Sequence, residues 1–104
     1  MELAIKAQPS PERYRITISG EVDISNADTL RDAIDLALEQ PTEELQLDFT
    51  GVSYIDSTGI GVLVGAAHHA RDHGKRFGVV NAQSGVMRVA QLLGVDEEIG
   101  ITAA

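Results

Sequence analysis

The 104-residue chain contains no cysteine and no tryptophan, and only four of its residues are aromatic. Without cysteine it forms no disulfide scaffold, thiolate zinc site or iron–sulfur cluster, and it has no cysteine nucleophile. The absence is compatible with a reducing cytosol. Because aromatic side chains are scarce, the core has to be built from valine, isoleucine, leucine and alanine.

Positive charge and long apolar runs are scarce as well. Eight Lys and Arg residues stand against sixteen Asp and Glu residues, a net charge of −8 that argues against direct nucleic-acid binding. The longest apolar stretch, residues 60–67, is interrupted by two glycines and is far shorter than the roughly 20 residues that cross a bilayer. The amino-terminal residues show no basic leader followed by an apolar run, so no signal peptide is expected. We therefore expect a cytoplasmic protein without membrane insertion.

The length fits one domain, residues 1–104. Alternating apolar and polar residues predict strands at residues 3–7, 14–19 and 44–49, and a short apolar run predicts another at residues 77–80. Apolar residues three and four apart predict helices at residues 27–38, 57–73 and 84–93. Gly20 is predicted to end the second strand, and residues 50–55 are predicted to form a loop. The tail, residues 95–104, fits either a short helix or a strand around Ile99 and Ile101.

The order β-β-α-β-α-β-α predicts an α/β fold with a mixed sheet packed against helices. Strands separated by helices favour parallel pairs joined by right-handed crossovers, and the amino-terminal hairpin adds an antiparallel edge. Ser25 or Asn26 is predicted to cap the first helix. On the third strand, Leu47 is predicted to point inward and Gln46 outward.

Asp56, Ser57 and Thr58 mark the start of the second predicted helix. A purely structural explanation is that their oxygens cap the first turn, which contributes about 1 kcal/mol. Three glycines follow inside this helix, and each costs about 1 kcal/mol relative to alanine. They are Gly59, Gly61 and Gly65. Structurally they indicate close helix–sheet packing or a loose first turn, and functionally they indicate a helix start without side chains that lets another protein approach the Ser57 backbone; the two interpretations are compatible.

Three known enzyme motifs do not match the spacing of residues in this chain. A nucleophile elbow needs glycine two residues before the serine, where this chain has Ile55. A dinucleotide-binding loop needs a third glycine where Val64 stands, and a Walker loop needs Ser or Thr where Arg76 follows Gly74 and Lys75. A hydrolase that uses Ser57 with a histidine is therefore disfavoured, and no cofactor is expected.

Two further clusters have a structural and a functional interpretation. His69 and His73 share a helix face, but two imidazoles with at most Asp72 nearby make a poor metal site. A solvated helix end is therefore favoured, and no metal is expected.

An acidic stripe on the first helix is either a solvated face or a docking face for a basic patch on a partner. Its members are Asp28, Asp32, Asp35 and Glu39.

Four short segments resemble one known family. Residues 56–63 read DSTGIGVL and are similar to the pattern D-[SA]-[STA]-G-[LIV]-x-x-[LIV], which the STAS domains of bacterial anti-sigma-factor antagonists carry between a strand and a helix. Residues 20–23 read GEVD, similar to the family's G-E-[LVI]-D, and the two motifs lie at the family's usual separation. Residues 48–50 and 92–94 extend the resemblance over nearly the whole chain.

The resemblance implies a partner switch. In such proteins an anti-sigma factor that is itself a serine kinase phosphorylates the motif serine. The unphosphorylated form binds that kinase and thereby releases a sigma factor. A serine phosphatase restores the unphosphorylated form. Ser57 is the phosphorylation site by position, with Thr58 as a second hydroxyl beside it. The alternative is a STAS accessory subunit of a transport system, in which Ser57 is structural and unphosphorylated. The resemblance places partner contacts at Asp23, Asp56, Thr58, Gly59 and Gly61.

Overall fold

A computed structural model describes residues 3–104; Met1 and Glu2, where the segment assessed for a signal peptide begins, lie outside the described residues. The elements follow the predicted order, and the tail adds a helix and a strand to it. In chain order they are β1 (Ala4–Pro9), β2 (Arg13–Val22), α1 (Ala27–Leu38), β3 (Glu44–Ile55), α2 (Ser57–Asp72), β4 (Arg76–Ala82), α3 (Ser84–Leu92), α4 (Asp96–Ile99) and β5 (Ile101–Ala103).

The five strands form one mixed sheet in the order β1-β2-β3-β4-β5. β1 is antiparallel to β2, and the other neighbours are parallel, so the predicted antiparallel edge and the parallel pairs are confirmed. Every parallel connection moves one strand further in the same direction. Right-handed crossovers of this kind place their helices on one face of the sheet.

The core lies between that face and the helices. On β3, Leu45, Leu47 and Phe49 are at most 1% exposed, whereas Gln46 and Asp48 between them are partly exposed. The alternation confirms the predicted register, with Leu47 inward. Most of the other fully buried side chains are aliphatic, as the composition requires; the largest are Ile16, Ile18, Leu30, Ile34, Ile55, Leu63 and Ile99.

The predicted end of β2 and the predicted loop after residue 49 are both wrong. β2 continues to Val22 and β3 to Ile55, because the two strands stay paired, with Gly20 opposite Val52. Register shifts interrupt this stretch, and the buried residues Val52 and Ile55 are three apart instead of two. Gly20 has φ +120°, a conformation that favours glycine and suits a bulge. The irregular strand thus lacks the two-residue period that identifies a strand in sequence.

The loop before α1 also differs from the prediction. Asn26 holds the N-cap position, but its side chain makes no capping hydrogen bond. Its Oδ1 instead accepts from the amide of Asp23 at 2.9 Å, and its Nδ2 donates to the carbonyl of Glu21 at 2.8 Å. The buried amide therefore fixes the turn between β2 and α1, which carries Asp23.

Both alternatives for the tail are present in succession. Ile99 is buried at the end of α4, and Ile101 is buried at the start of β5, where it pairs with Val79. Gly100 joins them with φ +73°, which lets the chain turn from helix to strand within one residue.

Candidate functional site

The candidate site lies at the carboxyl ends of β2 and β3. These strands are parallel neighbours, and their last residues, Val22 and Ile55, are directly paired. The amide of Asp56 continues the ladder by donating to the carbonyl of Val22 at 3.1 Å. The loop that holds Asp23 and the helix that starts at Ser57 are therefore brought together, although 33 residues of sequence separate them.

Asp56 links the two segments. It is the N-cap of α2, in extended conformation, and its Oδ1 accepts from the amide of Gly59 at 2.9 Å. Its Oδ2 accepts from the amide of Ile24 in the neighbouring loop at 3.1 Å. Asp56 thus satisfies one free N–H of the first helical turn and holds the β2–α1 loop in place. Ser57 follows as the first helical residue and is exposed.

Asp23 supplies a second carboxylate beside this helix start. Its Oδ1 accepts from both the hydroxyl and the amide of Ser25. The Ser25 hydroxyl bond, followed by the amide bond, lowers the pKa of Asp23. Ile24, which follows Asp23 and donates its amide to Asp56, projects into solvent with 77% of its surface exposed. The surface next to Ser57 therefore combines negative charge with an apolar side chain, and sequence reasoning missed Ile24.

The three glycines of α2 have different roles. A Cβ on Gly59 would lie 2.7 Å from side-chain carbons of both Val22 and Ile55, closer than such atoms approach. Close helix–sheet packing therefore explains Gly59. A Cβ on Gly61 or Gly65 would meet nothing within 4 Å, so packing does not require these two glycines.

Gly61 and Gly65 face a groove between α1 and α2 with a volume of about 380 Å³. Thr58 lies at the same opening, so the groove begins next to Ser57. The α1 side of the groove belongs to a helix 30 residues earlier in sequence, and for that reason the motif alone does not reveal it. The α1 residues that line it are Arg31, Ile34 and Asp35, and the remaining α2 residues are Val62 and Ala66.

Two histidines of α2, His68 and His69, contact neighbouring elements. His69 Nδ1 lies 3.6 Å from Asp35 Oδ1 on α1, and His68 Nε2 pairs with the carboxylate of Glu98 on α4. His69 and His73 stack edge to face with centroids 4.6 Å apart. Within residues 3–104, no group of three or more His, Cys, Asp or Glu side chains is arranged to hold a metal ion. His68 and His69 thus connect α2 to its neighbours, whereas the ring of His73, the C-cap residue of α2, contacts His69 of the same helix.

The acidic stripe of α1 is partly paired. Arg31 contacts Asp28 at 3.1 Å, and Asp35 contacts His69. Asp32 on the same helix and Glu39 at its C-cap are exposed. In the part of the chain that the structure describes, no helix is both long and apolar enough to span a membrane.

Comparison with known proteins places this geometry in a family. A family model described as "Mlab, STAS domain" matches residues 5–102. The anti-sigma-B factor antagonist of Bacillus subtilis (strain 168) is 27% identical over 103 residues, which are 99% of this chain and 94% of that protein.

Two solved structures share the fold. The crystal structure of an anti-sigma factor antagonist from Mycobacterium paratuberculosis superposes with a TM-score of 0.87 at 21% identity, covering 99% of this chain and 87% of that one. The Bacillus cell fate determinant SpoIIAA in its phosphorylated form superposes with a TM-score of 0.73 at 22% identity, covering 97% and 91%. Because the family model spans nearly all of the residues that build the sheet and its helices, the chain belongs to the STAS domain family.

Proposed function

We propose that this chain is an anti-sigma-factor antagonist that works as a phosphorylation-controlled partner switch in the cytoplasm. Its unphosphorylated form binds an anti-sigma factor that is a serine kinase, and this binding releases a sigma factor. Phosphorylation of Ser57 ends the binding, and a serine phosphatase restores it. The protein acts by binding and not by catalysis. The observation that carries the proposal is the exposed Ser57 at the first position of α2, where Asp56 already provides the cap.

Asp56 and Ser57 have separate roles at the start of α2, which supports Ser57 as the phosphoacceptor. Since the Asp56 carboxylate caps the helix, the structure does not depend on the Ser57 hydroxyl for that purpose. A phosphate adds about −1.5 to −2 charges and three acceptor oxygens. A helix N-terminus accommodates such a group because its free N–H groups point toward it. Phosphorylation is therefore expected to leave the fold intact.

The contact surface is what phosphorylation changes. Asp23, Ile24 and Asp56 surround the helix start, and Thr58 and Gly61 continue the surface along α2. A partner that fits a neutral hydroxyl here has to desolvate and accommodate a dianion after phosphorylation, next to the carboxylate of Asp56. Buried charge without a partner is strongly unfavourable. The expected result is loss of the complex.

The comparisons support this proposal by name. One relative is an anti-sigma-B factor antagonist that matches the chain over nearly its full length. SpoIIAA, which shares the fold, is described in a phosphorylated form. These properties belong to those proteins and are proposed for this chain.

A phosphorylation assay tests the proposal. The kinase panel consists of purified candidate anti-sigma-factor serine kinases from the organism that encodes this chain, and the anti-sigma-B factor of Bacillus subtilis. Each is incubated with the protein and ATP, and phosphopeptides are mapped. We expect phosphate on Ser57 with at least one member and none on Ser57→Ala. Thr58→Ala tests the second hydroxyl.

Ser84→Ala is the matched control, because Ser84 is an exposed serine at the first position of α3, as Ser57 is in α2. We expect Ser84→Ala to be phosphorylated like the wild type. No phosphate and no binding with any panel member would contradict the switch. That outcome would favour the alternative, an accessory subunit of a transport system with a structural Ser57.

A further inference from the structure

The groove between α1 and α2 has an apolar interior and opens beside the switch serine. Ile34 of α1 and Val62 and Ala66 of α2 provide its apolar lining. Thr58, the neighbour of Ser57, stands at its opening, so the groove is continuous with the proposed contact surface. Its volume of about 380 Å³ lies at the lower end of the range in which proteins bind ligands and side chains.

The depth of the groove comes from two glycines that the fold itself does not need. Gly61 and Gly65 are four residues apart on one face of α2, and a Cβ on either would meet nothing within 4 Å. Gly59 contrasts with them, because its Cβ would collide with Val22 and Ile55. Glycine inside a helix is unfavourable relative to alanine. Packing within the domain offers no compensation at Gly61 and Gly65, which points to a contact outside it.

The charges on the α1 side indicate what kind of contact fits. Arg31, the cation among the described residues that line the groove, pairs with Asp28 on the same helix, so a carboxylate partly offsets its charge. Asp35 lines the groove as a half-exposed carboxylate, with His69 as its partner. Asp32 on the same helix and Glu39 at its C-cap add exposed negative charge. The complementary surface is an apolar side chain flanked by cations.

We propose that the groove receives an apolar side chain of the anti-sigma factor, carried on a helix whose flanking Lys or Arg residues lie against α1. An amphipathic helix in an apolar groove is a recurrent mode of recognition. The proposal rests on the proposed function and extends its contact surface from Ser57 along α2 to Gly65. A phosphate on Ser57 would stand at the opening on the α2 side, away from the cations at α1, and would obstruct the bound helix by its bulk.

Filling the groove tests the proposal. Gly65→Leu places a side chain in the open space, and we expect a folded protein that melts no lower than the wild type. Its affinity for the panel kinase that binds the wild type should fall by about tenfold or more. Gly85→Leu is the control, since Gly85 is also a helical glycine whose Cβ would meet nothing within 4 Å, but it lies on α3. Its affinity should stay within about twofold of the wild type.

A charge variant provides a second measurement that does not depend on groove filling. Asp35→Lys should slow association at low salt by about tenfold and reduce the dependence of the association rate on salt.

A folded Gly65→Leu that binds with wild-type affinity would overturn the proposal, as would an unchanged association rate for Asp35→Lys. So would a wild-type dimer that Gly65→Leu converts to a monomer in sedimentation, because a second copy would then be the occupant. If the wild type binds no panel kinase, the proposed function itself fails, which is a distinguishable result.

Discussion

Asp56 takes over the structural role at the start of α2. Its carboxylate takes the two structural hydrogen bonds, to the amides of Gly59 and Ile24, and leaves the neighbouring Ser57 at an exposed helical position. A substitution at Ser57 therefore affects the contact surface more than the fold. This separation makes the switch testable with single residues.

Two replacements of Ser57 are expected to rank in opposite order for stability and for binding. Ser57→Ala should change the free energy of unfolding by less than about 0.5 kcal/mol, because the cap stays in place. It should bind the kinase constitutively. Ser57→Asp should be stabilised by about 0.3–1 kcal/mol through the helix dipole, yet bind more weakly because the added carboxylate has to be desolvated. Melting curves and kinase titrations of both variants measure the two effects; equal affinities with both proteins folded would contradict the switch.

Gly59 and Gly61 provide a matched pair at the same scale. Gly59→Ala should lower the free energy of unfolding by about 1–3 kcal/mol, because its Cβ would lie 2.7 Å from carbons of Val22 and Ile55. Gly61→Ala should raise it by about 0.5–1 kcal/mol, because its Cβ enters open space and alanine favours a helix. Urea unfolding of the two variants measures both. Effects of the same sign would show that the helix–sheet contact at Gly59 is looser than described.

At the scale of the element, β3 is the central strand of the sheet, and buried and partly exposed residues alternate along its first half. Leu47 is fully buried, so Leu47→Ala should lower the free energy of unfolding by about 2–5 kcal/mol. Gln46 is partly exposed and accepts a hydrogen bond from Arg15 Nε at 3.0 Å, so Gln46→Ala should cost about 1 kcal/mol or less. Chemical denaturation of the two variants compares the faces. A reversed order would mean that the strand register is wrong by one residue.

Asp48, on the open face of the same strand, predicts a dependence of stability on pH. Burial alone raises the pKa of Asp48, but hydrogen bonds from the Thr50 hydroxyl, the Thr50 amide and Asn81 together outweigh burial and lower the pKa. Because the pKa is lower in the folded state, the ionised Asp48 stabilises the fold at pH values above the unfolded pKa of 3.8. This contribution to stability is lost as the pH falls through the folded-state pKa. The stability advantage of the wild type over Asp48→Asn should therefore shrink between about pH 6.5 and about pH 3.

Thermal unfolding of both proteins at these pH values measures the change. Asp32→Asn, on the exposed face of α1, controls for removal of one negative charge from an acidic chain. An advantage over Asp48→Asn that is the same at both pH values would rule out a stabilising role for the ionised Asp48.

At the scale of the whole molecule, we propose that residues 1–104 form one STAS domain that unfolds as a unit. One sheet and one continuous core connect elements from both ends of the chain, and Ile16 and Ile101 belong to the same buried cluster. Calorimetry should show a single transition with an enthalpy of about 70 kcal/mol near 60 °C. The calorimetric and van't Hoff enthalpies should agree, and two resolved transitions would contradict a single cooperative domain.

The sequence by itself determined the α/β class, the order of the elements, the register of Leu47 and the family. These properties follow from the spacing of apolar residues and from short motifs, both of which are set by residues close together in sequence. Thr58, Gly59 and Gly61 stand in the motif and Gly65 follows it, but sequence alone assigned the same alternatives to all three glycines.

Tertiary structure alone decided which of those alternatives applies to each residue. The parallel pairing of β2 with β3 extended both strands through an irregular register and brought Asp23 beside Asp56, 33 residues away. The same packing set Gly59 against Val22 and left Gly65 facing a groove whose other side is α1. Such contacts depend on distances between segments remote in sequence, and a local pattern holds no information about those distances.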